Sequence, residues 1–236
     1  MNLHSTPATE LKVLSAGAVK AGVHALELQV KRELGHNMKL VFTTAPQIAK
    51  RLAAGEAYDI LISPPFVIEQ AVADGSAVAE SRVSVGRVGV GVVVRCTAPA
   101  PDVATVAALK QALLAADSVV YNSASTGIYL ERLFINMNIQ EQLRPKSTRY
   151  AEGAAVMEHI ISGKGNEIGF GAITEINRYS GQGLTFVGPL PARAQNYTSY
   201  DAVLMSGASS ADAAKAVLRL LETPATRAAI SAAGVE

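Results

Sequence analysis

From Leu11 onward, short apolar runs alternate with stretches in which apolar residues recur every three to four positions. That alternation predicts repeated βα units and a largely parallel sheet. Leu11-Lys12-Val13-Leu14 predicts a strand, followed by a helix over 19–34 that stops at Gly35, a residue suited to the left-handed position after a helix. A second strand over 39–42 precedes a helix over 45–54, with Pro46 tolerated in its first turn and Gly55 beyond its end. Asp59-Ile60-Leu61-Ile62 predicts a third strand, and Ser63-Pro64-Pro65 leads into a helix over 66–73. Three such units within ~75 residues form a lobe of their own, with loops of ordinary length.

The pattern then changes. Residues 83–95 are β-rich and carry Gly86, Gly89 and Gly91, as in a strand that bends or approaches other backbone closely. This stretch reads as a crossover into a second lobe. There, Asp102 is positioned to cap a helix over 103–115, followed by a strand over 118–121 and a helix over 128–136. Arg149-Tyr150 precedes a helix over 154–161. A strand over 167–170, a short helix through Ile176 and a strand over 184–187 complete the lobe. Residues 197–205 read as a strand returning to the first lobe, which two helices over 211–221 and 224–233 finish, with Pro224 in the first turn of the last. The expected organisation is one discontinuous lobe, 1–85 plus 196–236, and an inserted lobe, 86–195. A lobe crossed twice implies a hinge with the ligand between the halves.

Composition narrows the function. The chain has 236 residues, 49% of them apolar and 17% charged, with a net charge of +1. It carries no basic block, so nothing marks a nucleic-acid or acidic-membrane partner. Aromatic residues are 5% and tryptophan is absent, which leaves no material for a base-stacking platform. Cys96 is alone, excluding an internal disulfide or cysteine-rich metal site, and reads as a small packing residue. No apolar run reaches the ~18 residues of a membrane-spanning helix, so direct membrane insertion is not expected. Met1 to Pro7 lacks the features of a secretory signal. The location is therefore periplasmic if an export signal has been removed, and cytoplasmic if Met1 is native.

The chemistry concentrates where strands turn into helices. Ser123-Ala124-Ser125-Thr126-Gly127-Ile128-Tyr129 follows one strand and opens a helical pattern. Backbone N–H groups at such a junction point at one spot, and the helix dipole adds partial positive charge, so the spot suits an anion. Ser15-Ala16-Gly17-Ala18 forms a second junction of this kind, and Thr43 and Thr44 can supply a third wall. Each has a plainer use. Ser125, Thr126 and Gly127 read also as an ordinary helix cap, and Thr43-Thr44 as a capped turn before Pro46.

The order of motifs resembles the bacterial type II periplasmic solute-binding proteins, in the molybdate-binding-like branch, with similarity also to aconitate isomerase-like members. The resemblance runs through 11–18, 48–63, Ser125-Thr126-Gly127-Ile128-Tyr129, 167–170 and the closing segment Leu221-Glu222-Thr223-Pro224 to Glu236; the piece over 48–63 is the most specific. It implies an α/β fold of the two-lobed, Venus-flytrap type, each lobe a mainly parallel sheet flanked by helices. It also implies a small anionic ligand at the inter-lobe cleft and an ABC permease as possible partner. The residues themselves offer no metal-ligand cluster or phosphate loop, so no cofactor or metal is expected. Hydroxyl positions of the molybdate binders fall here on Ala18, on Thr43-Thr44-Ala45-Pro46 and on Ala172. Two lost hydroxyls leave a tetrahedral oxyanion under-satisfied, which argues against molybdate.

The ligand-binding candidates are therefore Ser15, Ala16, Gly17, Thr43, Thr44, Ser63, Arg87, Ser125, Thr126, Gly127, Tyr129 and Thr174. Arg87 can pair with a carboxylate in bidentate fashion, or be a solvated strand residue. Tyr129 reads as packing or as a phenol at the site, Lys20 as a ligand cation or surface charge; Arg149 and Tyr150 share that ambiguity. An isomerase needs an acid and a base. His4, His24, His36 and His159 have no partner at telling spacing, while Glu152 and Glu175 stand at helix starts; no catalytic residue is assigned. The expectation is a solute-binding protein for a carboxylate or oxyanion, with a soluble isomerase of a di- or tricarboxylate as alternative.

Overall fold

The computed structural model describes residues 9–236. The chain folds into two compact units: residues 9–86 with 199–236, and residues 87–198. The boundaries fall inside two strands, β4 (Val83–Arg95) and β9 (Tyr197–Leu204).

In the first unit, β1 (Glu10–Ala16) pairs in parallel with β2 (Asn37–Thr43) on one side and β3 (Ile60–Ser63) on the other; β9 adds to β3 antiparallel. A single 3-10 turn, Gly17–Val19, leads from β1 into α1 (Lys20–Leu34), which ends at Gly35 with φ 70°, the left-handed conformation that glycine adopts without strain. α2 (Ala45–Ala53) follows β2, and α3 (Pro65–Ala73) follows β3. Val23, Leu26 and Val30 of α1 are buried, at the spacing of one helix face. α9 (Ala211–Leu221) and α10 (Pro224–Ala232) both pack on α1.

Asp59 fastens this unit internally. Its buried carboxylate accepts hydrogen bonds from Lys12 N–H (2.8 Å), Ser209 Oγ (3.0 Å) and Ser210 N–H (3.1 Å). The same residue thus serves the start of β1 and the N-terminus of α9. The Asp in the most specific stretch of the sequence is a structural tie.

In the second unit, β5 (Ser118–Asn122) lies between β6 (Ser147–Tyr150) and β7 (Glu167–Ala172), all parallel, while β4 pairs antiparallel with β7 and with β8 (Leu184–Pro189). Strand alternation divides its core between two faces. Val92, Val94, Val119 and Tyr121 join Leu109, Leu113, Leu130 and Phe134 in one cluster. Val93 and Val120 join Val156, Met157 and Ile160 in the other. The helices covering these faces are α4 (Val106–Ala115), α5 (Ser125–Asn136), α6 (Gln140–Leu143), α7 (Gly153–Ser162) and α8 (Ile173–Arg178).

Four details differ from the sequence reading. α4 begins at Val106 rather than 103, because Asp102 accepts Ala104 N–H in a local turn and Thr105 caps the helix. α5 begins at Ser125, three residues early. Residues 147–150 form an edge strand that their polar composition concealed. Cys96 is exposed, not packed, at the turn after β4.

Candidate functional site

Parallel pairing brings the strand ends of each unit to one edge, the usual ligand-binding side of α/β sheets. In the first unit Ala16 stands beside Thr43, and Ser15 beside Ile62, so Ala16, Thr43 and Ser63 end their strands side by side. Four of the sequence candidates thus gather with Gly17 and Thr44 at a single edge. Ser15 is fully buried and its hydroxyl donates to Ala16 C=O at 3.2 Å, so it braces the strand end. Ser63 Oγ is also buried and has no hydrogen-bond partner among the described residues.

Thr44 is the N-cap residue of α2, with φ −83° and ψ 157°, yet its side chain makes no capping bond. Ile48 N–H takes Thr44 C=O at 2.9 Å. That leaves the amides of Ala45 and Gln47, Pro46 having none, together with the hydroxyls of Thr43 and Thr44. Lys20 opens α1 with its ammonium 5.2 Å from the centre of the Phe42 ring.

In the second unit the Asn122 carboxamide organises the edge. Its Oδ1 accepts Ala124 N–H at 3.0 Å and Gly127 N–H at 3.3 Å, while Ser123 N–H reaches Tyr150 C=O at 2.8 Å. Gly127 is needed for close approach, since a Cβ there would overlap the Asn122 carbonyl oxygen. Its amide is occupied, so the available first-turn donors are the N–H groups of Ser125 and Thr126 with the Thr126 hydroxyl. Neither residue is the N-cap; that position is Ala124. Asn122 escaped the sequence reading, which ended the strand at 121 and opened the motif at Ser123; an Asn closing a strand before Ser-rich residues is the signal that finds it.

Tyr129 is engaged elsewhere: its hydroxyl donates to Ala194 C=O at 2.7 Å, and burial raises its pKa. Arg87 is exposed, and its guanidinium lies 4.3 Å from the centre of the Tyr197 ring. Arg149 pairs with Glu131 at 2.8 Å, and Tyr150 Oη with His159 Nδ1 at 2.8 Å, so both are held by their own unit. His24 pairs with Glu27 at 3.0 Å, and Thr9 N–H reaches His36 Nδ1 at 3.4 Å. His4 lies outside the described residues.

Thr174 and Glu175 are buried in the first turn of α8, just past the end of β7. Glu175 pairs with Arg178 Nη1, 3.2 Å from each carboxylate oxygen. It packs against Gly153, where a Cβ would sit 3.3 Å from Glu175 Cγ and 4.0 Å from Asn122 Nδ2. The starts of α7 and α8 therefore converge with Asn122, and Glu175 is a buried acid within that group. Glu152, at the N-cap of α7, makes no side-chain cap. Among the described residues no cluster of His, Cys, Asp and Glu has the makings of a metal site, and no helix is long and apolar enough to cross a membrane.

Helix starts rich in open amides, ranged along the carboxyl edges of two α/β units, define a binding protein for small solutes. The family described as bacterial extracellular solute-binding protein matches residues 11–236, and the chain belongs to it. An aconitate isomerase from Pseudomonas sp. is 29% identical over 242 residues, covering 99% of this chain and 90% of that protein. The periplasmic molybdate-binding protein of Azotobacter vinelandii superposes with a TM-score of 0.80 at 16% identity, over 96% of this chain and 98% of that one. The sulfate-binding protein SubI of Mycobacterium tuberculosis gives a TM-score of 0.76 at 14% identity, over 96% and 86%. The fold is that of the periplasmic binding proteins.

Proposed function

We propose that this protein captures a small anion, a carboxylate or an oxyanion other than molybdate, and hands it to an ABC-type permease outside the cytoplasm. The observation that carries this reading is the uncapped start of α2, where Thr44 holds the capping position without capping and leaves the Ala45 and Gln47 amides open. In the second unit the Ser125 and Thr126 amides, at the start of α5, are open in the same way. Amide and hydroxyl donors fixed in place before binding need no reorganisation, and they strengthen as water is excluded. Ala18 and Ala172, where molybdate binders carry hydroxyls by resemblance, favour a ligand other than molybdate.

A second reading, a cofactor-independent isomerase of a di- or tricarboxylate, is favoured by the similarity to aconitate isomerase over nearly the whole chain. Glu175, buried beside Gly153 and Asn122, is the acid placed for proton transfer in that reading. Calorimetric titration with molybdate, sulfate, citrate, cis-aconitate and trans-aconitate tests the first reading, and proton NMR of the aconitate solutions tests the second. Binding of a carboxylate or sulfate with molybdate excluded is the expected result. Tight binding without interconversion rejects the isomerase; no binding of any of the five rejects the anion site.

A further inference from the structure

Within the second unit, a donor and an acceptor meet at the carboxyl edge of the sheet. Asn122 and Glu175 are each 8% exposed. Asn122 Oδ1 is committed to the Ala124 and Gly127 amides, at 3.0 and 3.3 Å. Both partners are donors, so the orientation of the carboxamide is fixed and Nδ2 with its two hydrogens is left for other neighbours. Nδ2 lies 4.0 Å from the point that a Cβ on Gly153 would occupy, and Glu175 Cγ and Cδ lie 3.3 and 3.9 Å from the same point. Gly153 is the part-exposed first residue of α7, and the N-cap Glu152 makes no side-chain cap there. Because residue 153 has no side chain, the position between the carboxamide and the carboxylate is left open.

Glu175 is a poor neighbour for a bare anion, since a buried carboxylate repels a second one. Arg178 Nη1 stands 3.2 Å from each of its oxygens. That matches its charge without filling its capacity, for a carboxylate has about four acceptor sites. The group that suits this position accepts from Asn122 Nδ2 and donates to Glu175. A hydroxyl does both with one oxygen. An ionised carboxylate or a sulfate accepts but has no proton to give. The two amides that Asn122 Oδ1 holds bracket Ser125 and Thr126, so the position adjoins the open donors of α5.

We propose that Asn122 and Glu175 form a subsite that reads a hydroxyl, and that the second unit thereby selects a hydroxycarboxylate. The ligand's carboxylate lies on the open helix-start amides and its hydroxyl between the Asn122 carboxamide and the Glu175 carboxylate. This selection rests on the reading of that edge as the ligand edge of an anion-binding protein, and adds the class of ligand to it. Arg178 is the positioning residue that holds the Glu175 carboxylate in place.

The test is calorimetric titration with two matched pairs, citrate against tricarballylate and malate against succinate, which differ by one hydroxyl, and with sulfate in parallel. Wild type should bind the hydroxyl-bearing member of a pair at least about tenfold more tightly, the scale of a hydrogen bond to a charged group. Glu175→Gln should bring the two members within about threefold, the member lacking the hydroxyl gaining affinity as the repulsion goes. Gly153→Ala, which sets a methyl group at the shared point, should weaken the hydroxyl-bearing member about tenfold and its mate less. Thermal melts confirm that the variants fold, and either variant alone suffices. Equal wild-type affinity within both pairs overturns the hydroxyl subsite, as does an advantage that persists undiminished in the variants. Binding of sulfate with failure of all four acids also overturns it and leaves the anion edge standing. Failure of sulfate as well overturns the edge, and the subsite with it.

Discussion

Three threonines hold the same position in this molecule and are used in two ways. Thr44, Thr105 and Thr223 are the N-cap residues of α2, α4 and α10, all with extended backbones. Thr105 Oγ1 accepts Ala108 N–H at 3.0 Å, and Thr223 Oγ1 accepts Thr226 N–H at 3.4 Å. α9 is served by the Asp59 carboxylate through Ser210 N–H. Thr44 caps nothing among the described residues. The capped helices are tied for stability, while the helix directly following β2 keeps its donors open. Thr44 holds the capping position of α2 without capping, so the first-turn amides of that helix are left to meet an anion.

The largest effect expected on the capped side is at Asp59. Asp59→Ala strands three donors and should lower unfolding free energy by about 3 kcal/mol or more in urea denaturation, with no direct effect on a bound anion. Gly127→Ala forces a methyl group onto the Asn122 carbonyl. It should cost about 2–3 kcal/mol as overpacking and weaken anion binding as well, because the start of α5 must shift.

The threonines themselves sharpen the comparison. Thr105→Val and Thr223→Val should each lose about 1 kcal/mol of stability. Thr44→Val should change stability by less than about 0.5 kcal/mol yet weaken anion affinity roughly tenfold or more, as expected for a hydrogen bond to a charged group. Equal stability losses at all three would make Thr44 an ordinary cap.

The smallest effect concerns the other end of α2. Tyr58 Oη donates to Glu56 Oε2 at 2.5 Å, and Arg51 pairs with Glu56 at 2.8 Å. These bonds, the tyrosine first, hold the Glu56 carboxyl below its ordinary value of 4.5. A depressed folded-state pKa stabilises above the unfolded value and loses that contribution as pH falls through the folded one. Melting temperatures of wild type and Tyr58→Phe should therefore differ slightly at neutral pH and converge below pH 4.5.

Much of the fold was legible because apolar runs and glycine punctuation recur with little ambiguity. The helix 211–221 and the strand 83–95 were both read at their observed bounds. Errors arose where side chains decide the boundary. Asn122 reaches forward to Ala124 and Gly127 and lets α5 start at Ser125, and Asp102 spends its carboxylate on a local turn. β6 is a short polar edge strand, with no apolar alternation to betray it. The candidate edge was legible as hydroxyls and glycines at strand–helix junctions. Which of those groups remain open was not, because Thr44 and Thr105 look alike until their geometry is known. The hydroxyl of Tyr129 and the amide of Gly127 were likewise taken by partners 65 and 5 residues away.

Amide chemical shifts during titration with trans-aconitate test the account most directly. The N–H resonances of Ala45 and Gln47 should move and saturate, while those of Ala108 and Thr226, held by Thr105 and Thr223, stay in place. Saturable shifts confined to other residues, with Ala45 and Gln47 unmoved, would contradict the open helix start as the anion site.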